Sequence, residues 1–338
     1  MTRVLLTGGN GFIASHILQQ LLERGHSVVT TVRSHDKAEN IRKSYPQLGR
    51  DKLDFTIIRD VTQPDSFAQV LASEPPIEAV IHTASPYVTN ATDIQKDLLD
   101  PAIKGTTSVL EAVMQHGPRV KQVIVTSSFV SMLDESKGLW PDHVYSEADW
   151  CPLTLTEALQ NARQGYQASK TFAEKAAWDL VQRQRPNFTL STILPPLVFG
   201  PILPGLGSLS TLSESNQFIR SFMLGSARDN IPPSENPIWA DVRDVAQAHV
   251  VAMEKPDAGG QRFFVTNGYY SNREIVDVIR KHFPELQGQL PPESVEGGDL
   301  PGAIFGLDNR RSRDVLGIEY RSFEDCIVDT VRSIQSLS

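Results

Sequence analysis

Tyr166 and Lys170, four apart in the run Tyr166-Gln167-Ala168-Ser169-Lys170, are the residues whose types and spacing most directly imply chemistry. Ala173, Ala176, Ala177 and Leu180 continue the stretch with helical character, and a separation of four puts phenol and ammonium on one face of a helix. A phenol so placed is a proton donor for a carbonyl oxygen whose carbon receives a hydride. Free tyrosine, with a pKa of about 10, donates reluctantly, and a neighbouring ammonium stabilises the phenolate left behind. A third group should orient the carbonyl by a hydrogen bond, and Thr126-Ser127-Ser128 ends a strand-like run. Ser128 is the first candidate and Ser127 the alternative, because successive strand residues face opposite ways and the register is open by one residue.

These side chains need a scaffold, and the hydrophobic pattern predicts one. Val4–Thr7, Ser27–Val32, Asp54–Ile58, Ala79–Ala84, Lys121–Ser127 and Thr189–Leu194 read as buried strands separated by helices. Phe12, Ile13, Ile17, Leu18, Leu21 and Leu22 repeat at helical spacing before Gly25, a stop signal. Repetition of the unit predicts a parallel sheet covered on both faces, with a ligand crevice at the carboxyl ends of its strands. Past Leu194 the Pro- and Gly-dense stretch from Pro195 to Ser208 reads as a loop. A strand at Arg262–Thr266, a helix from Asn272 to Phe283 opened by a Ser271/Glu274 capping box, and a helix from Phe323 to Ile334 follow. The expected fold is therefore α/β, a Rossmann-type doubly wound parallel sheet with a small C-terminal substrate-binding cap. Residues 1–195 and about 238–268 make the dinucleotide-binding part, and about 196–237 and 269–338 the smaller one.

The segment Thr7-Gly8-Gly9-Asn10-Gly11-Phe12-Ile13-Ala14 joins the first strand to the first helix, where a pyrophosphate meets backbone N–H groups. Gly8, Asn10, Gly11, Phe12 and Ile13 are the expected cofactor contacts. At the end of the second strand an acidic residue would hold the ribose hydroxyls of NAD; Arg33 stands there, with Lys37 one helical turn on. That favours NADP and its 2′-phosphate, with Asp36 the residue that speaks for NAD. Asp60 and Val61, past the third strand, belong near an adenine. Bringing Tyr166 near neutrality takes roughly 4 kcal/mol, which Lys170 and a bound oxidised nicotinamide can supply together.

The 338 residues carry a net charge of −8 and 40% hydrophobic side chains, which argues against a nucleic-acid surface and for small-molecule chemistry. No apolar run approaches the roughly 20 residues of a membrane span, and Val4-Leu5-Leu6 follows Met1-Thr2-Arg3 at once, so a cytoplasmic protein is expected. Cys151 and Cys326, far apart, indicate no disulfide framework, and no ligand-spaced cluster indicates a metal. His82 reads as a core or cofactor-lining residue, and Asp241, Arg243 and Asp244 as a salt-bridge network closing the cap against the sheet. Monomer and homodimer both remain open.

The glycine loop, the serine pair and the Tyr/Lys pair, in that order, resemble the extended short-chain dehydrogenase/reductase family over essentially the whole chain. Val80-Ile81-His82-Thr83-Ala84-Ser85-Pro86, Arg33-Ser34, Val125-Thr126-Ser127-Ser128 and Asp241-Val242-Arg243-Asp244-Val245-Ala246 are similar to the branch of dihydroflavonol reductases, cinnamoyl-CoA reductases and fungal methylglyoxal and aldehyde reductases. Ala173-Glu174-Lys175-Ala176-Ala177-Trp178 and Ala38-Glu39-Asn40 resemble the fungal members most. The resemblance implies NADPH, a Ser/Tyr/Lys triad and a small carbonyl substrate. It implies that Thr83, Ala84 and Ser85 line the cofactor, that Pro195 and Val198 flank the nicotinamide, and that Tyr87, Phe129 and Leu197 shape the substrate pocket. Two other readings stay open: a nucleotide-sugar epimerase or dehydratase using the same Tyr/Lys pair, and a non-catalytic NADP sensor.

Overall fold

The computed structural model describes residues 1–85, 92–235 and 237–337. Its first half alternates strand and helix: β1 Arg3–Thr7, α1 Phe12–Glu23, β2 Ser27–Val32, α2 His35–Ser44, β3 Leu53–Ile57, α3 Ala68–Leu71, β4 Ala79–His82, α4 Asp100–His116 and β5 Gln122–Thr126. After the short β6 Val144–Tyr145 and α5 Leu155–Ala158 come the long α6 Ala162–Gln184 and β7 Thr189–Leu194. The rest comprises β8 Leu197–Phe199, α7 Glu214–Met223, β9 Ile238–Asp241, α8 Val242–Glu254, β10 Arg262–Phe264, β11 Gly268–Tyr269, α9 Asn272–His282, β12 Gly306–Leu307, α10 Arg310–Asp314 and α11 Phe323–Gln335.

The main sheet runs β10-β7-β5-β4-β1-β2-β3, all parallel. Order reverses between β1 and β4, which creates the crevice at their carboxyl ends. Strand alternation sorts the core: Val4 and Leu6 pack with Ile17, Leu21 and Val245 on one face, Leu5 with Val80, Val109 and Leu110 on the other. α1 stops at Gly25 as expected, with Gly25 N–H donating to Leu22 O and His26 N–H to Leu21 O, the two bonds of a Schellman motif.

Several boundaries differ from the sequence reading, β3 running Leu53–Ile57 and β10 ending at Phe264 among them. β4 ends at His82 and β5 at Thr126, so Thr83–Ser85 and Ser127–Ser128 leave the sheet. The Pro/Gly-rich stretch contains a strand after all, because Leu197, Val198 and Phe199 pair with Trp239, Ala240 and Asp241 in a second sheet ordered β11-β9-β8. Ile238–Asp241 thus pairs outside the seven-stranded sheet. This second sheet and helices α7, α9 and α11 share a core of their own around Phe199, Trp239, Ile275 and Val331. Arg243 fastens it: its guanidinium holds Asp241 at 2.7 Å and, from α11, Asp329 at 2.6 Å, while Arg321 pairs with Asp244. No helix among the described residues is long and apolar enough to cross a membrane.

Candidate active site

The loop after β1 is shaped by glycine. Gly8 has φ +74°, and a Cβ on Gly9 would lie 2.0 Å from Thr30 Oγ1. Gly8 N–H donates to Thr31 Oγ1 at 3.0 Å and Gly9 N–H to Thr31 O at 3.0 Å, which anchors the loop to β2. Across the crevice Thr7 Oγ1 accepts N–H bonds from Thr83 and Ala84 at 3.1 and 3.0 Å. Its own proton is therefore directed at His82 Nδ1, 2.9 Å away. That bond suits a neutral imidazole, and burial pulls His82 down to about 4, the nearby Lys170 charge adding to it. His82 is 3% exposed, a core residue that ties two strand ends together.

These ends wall a cleft of about 590 Å³. Gly8, Asn10, Gly11, Phe12 and Ile13 line it, as do Arg33, just past β2, and Lys37, in the first turn of α2. Val61, Thr83, Ala84, Ser85, Tyr166, Lys170 and Val198 line the remainder. A cradle that excludes a Cβ, with two cations from the end of β2 and the first turn of α2, fits a dinucleotide carrying an extra phosphate. Asp36, the acidic residue nearest Arg33 in sequence, is exposed and does not line the cleft. Two expected contacts sit elsewhere. Asp60 is exposed, its carboxylate accepting from Thr62 N–H and Oγ1 at 2.9 and 2.7 Å, bonds that hold it below the usual carboxylate range. Pro195 is buried, its carbonyl accepting the Phe129 N–H at 2.9 Å, and its neighbour Pro196 faces the second cavity.

That second cavity, about 760 Å³, meets the cleft at Tyr166 and Glu214, each of which lines both. Ser128, Phe129 and Leu197 line it with Leu133, Ile238 and Phe305. Tyr87 lies outside the described residues. Asn161 caps α6 by accepting the Gln164 N–H at 3.0 Å, so the helix starts four residues before Tyr166 and holds it in a formed turn. The two candidate serines are placed differently: Ser127 Oγ turns inward and donates to Glu174 Oε2 at 2.6 Å, while Ser128 lines the cavity.

In the nucleotide-free chain burial pushes Tyr166 up to about 12, with Glu214 adding to the rise. Burial also pulls Lys170 down to about 8. Lys170 Nζ donates to Ser85 Oγ at 3.1 Å and lies 5.9 Å from the Tyr166 ring centroid, so without a nicotinamide desolvation of the phenol outweighs the ammonium; the lowering expected from the sequence needs the bound oxidised nicotinamide as well.

A family model described as the NAD dependent epimerase/dehydratase family matches residues 4–266. The chain belongs to that family. Within it, the chain is 44% identical over 335 residues to the ketoreductase azaE of Aspergillus niger, covering 98% of this chain and 97% of that one. A putative NADPH-dependent methylglyoxal reductase, GRP2 of Candida albicans, is 38% identical, with 98% of both chains covered. The crystal structure of Gre2 in complex with NADPH from Candida albicans superposes with a TM-score of 0.93 at 36% identity, covering 100% of this chain and 99% of that one. The membership and the fungal reductase branch agree with the resemblance read from the motifs.

Sequence reasoning missed Ser213, Glu214 and Ser215, which line the cofactor cleft from the start of α7. A signal existed: Ser213 precedes a helical run with Ile219 and Phe222 inward, the pattern of an N-cap, and its side chain accepts the Asn216 N–H. Phe305 had none, since the chain reaches the cavity there through an irregular segment far from the motifs.

Proposed function

We propose that this family member reduces aldehydes, ketones or keto esters to alcohols with NADPH. The observation that carries the reading is that a nucleotide-shaped cleft and a separate, mostly apolar cavity meet at one phenol, Tyr166, with Lys170 in the cleft and Ser128 in the cavity. A reduced nicotinamide bound in the cleft would supply the hydride. Gly8, Asn10, Gly11, Phe12 and Ile13 would hold the pyrophosphate, and Arg33 and Lys37 would hold the 2′-phosphate as charge-assisted donors. The relatives named for NADPH support that choice.

The carbonyl compound enters between Phe129 and Leu197, whose apolar faces exclude water. Ser128 Oγ donates to the carbonyl oxygen and fixes its direction. Tyr166 gives its hydroxyl proton to that oxygen as the carbon is reduced, so one hydride and one proton make the alcohol. In the nucleotide-free site burial keeps the phenol protonated, and the ammonium of Lys170 is a cation available to the phenolate. The test is loss of NADPH absorbance with α-keto aldehydes, keto esters and aryl ketones. Wild type consumes NADPH and Tyr166→Phe does not; an active Tyr166→Phe rejects the mechanism.

A further inference from the structure

Glu174 lies one further turn along α6, so Tyr166, Lys170 and Glu174 follow at spacings of four on one helix face. It is 2% exposed, and donors from four separate elements converge on its carboxylate. Oε2 accepts from Ser127 Oγ at 2.6 Å and lies 2.7 Å from Ser131 Oγ, whose single proton is shared between this carboxylate and the Ser128 carbonyl at 2.8 Å. Oε1 accepts from Thr192 Oγ1 at 2.7 Å, Arg262 Nε at 2.8 Å and Trp178 Nε1 at 3.3 Å. Burial alone raises a carboxylate, yet Arg262 and the serine hydroxyls hold Glu174 below its usual range.

Arg262 is equally committed. It donates to the carbonyls of Glu147 and Asp149 at 2.7 Å each, and its guanidinium lies 3.6 Å over the Trp150 ring. Between the two Glu174-bound serines runs the loop that carries Ser128, whose carbonyl accepts the Ser131 N–H at 3.0 Å. We infer that Glu174 is a positioning residue for Ser128: one buried carboxylate grips the serine loop at both ends and references it to the helix that carries Tyr166. Apolar packing would fill the same space without the desolvation of an ion pair, whereas a carboxylate with directed partners sets angles as well as distances. The distance between the hydroxyl that orients a carbonyl and the phenol that protonates it then passes through a single rigid helix.

The inference rests on the proposed role of Ser128, and a double-mutant cycle separates the two. Glu174→Gln, Ser128→Ala and the double variant are compared for kcat and KM with a neutral ketone and NADPH. Misplacing a reacting group by about 1 Å costs up to roughly a hundredfold, so Glu174→Gln is expected to lower kcat ten- to a hundredfold. The KM for NADPH stays put, because none of the clamp's bonds reaches the cofactor cleft. In the Ser128→Ala background the same change should cost less than about twofold, since the group it positions is gone. Should Glu174→Gln fail to fold with Arg262 unpaired, Glu174→Gln/Arg262→Gln removes both charges, and Ser131→Ala opens one end of the clamp; each enters the same cycle. Equal losses in both backgrounds overturn the inference alone. A fully active Ser128→Ala overturns the role of Ser128 and the inference with it.

Discussion

Replacing Lys170 by Met separates what the ammonium costs the fold from what it does for turnover. Burial lowers Lys170 from 10.5 to about 8, a gap that corresponds to about 3 kcal/mol of destabilisation once both states hold the proton. Part of the stem faces the cleft and Nζ keeps Ser85 Oγ at 3.1 Å, so about 2 kcal/mol is the fair expectation after solvent screening. The sign follows from the depressed folded pKa: the unfolded chain holds the proton more tightly, so the penalty is complete below about 8 and fades as pH rises toward 10.5. Urea unfolding without nucleotide is the assay. At pH 7 Lys170→Met should be more stable than wild type by about 2 kcal/mol, the gain shrinking as pH passes 8, and carbonyl reduction should be lost. A variant no more stable than wild type at pH 7 would refute the claim that this ammonium is held against its solvation.

Three further outcomes are expected. Burial pulls His16, His82 and His249 down to about 4 from 6.5, so the stability they contribute as neutral groups is present above 6.5 and lost as pH falls toward 4. At pH 5 that amounts to about 2 kcal/mol each, visible in urea midpoints measured from pH 7.5 to 5; a flat profile across that window rejects it. Ser127→Ala removes a buried bond to a carboxylate and should cost about 1.5–3 kcal/mol of stability; because it opens one end of the Glu174 clamp it should also slow turnover, but less than Ser128→Ala, which should lose roughly 10²–10³ in kcat; paired denaturation and kinetics decide, and equal kinetic losses count against the assignment. Arg33→Asp puts a carboxylate where the 2′-phosphate is read, and should raise the KM for NADPH by roughly tenfold or more while improving NADH, read from initial rates with each nucleotide.

The sheet was legible because its strands are buried on both faces and read as apolar runs, and because Gly8 to Gly11 sits between one such run and an amphipathic helix. The Tyr166/Lys170 pair was legible for a simpler reason: one helix carries both, and a spacing of four fixes their relation. What sequence left open was set by contacts between distant segments. Ser127 and Ser128 could not be told apart until Glu174, 47 residues from Ser127, claimed one of them. β8 hid in a Pro-rich stretch because its partner, β9, lies about forty residues on and the apolar run is only three long. Asp60 shows the converse: its place at a strand end was read well, but Thr62 two residues away satisfies its carboxylate, a local bond that no periodicity reveals.

The protonation states at the junction bear on direction. With Tyr166 near 12 and Lys170 near 8, a neutral solution finds the phenol intact and the amine charged. That is the resting pair for giving a proton to an oxygen. Burial and Glu214 both oppose the phenolate in the nucleotide-free chain, so abstraction of a proton from an alcohol would depend on a bound oxidised nicotinamide to favour it. On the proposed reading a nucleotide with a 2′-phosphate would be held by Arg33 and Lys37 through charge, a grip that salt weakens and exchange with solvent can break. A reductase must release its spent nucleotide every turnover, whereas an epimerase regenerates its own in place. A 2′-phosphate held by charge therefore suits the exchanging cofactor of the proposed reductase better than a closed redox cycle.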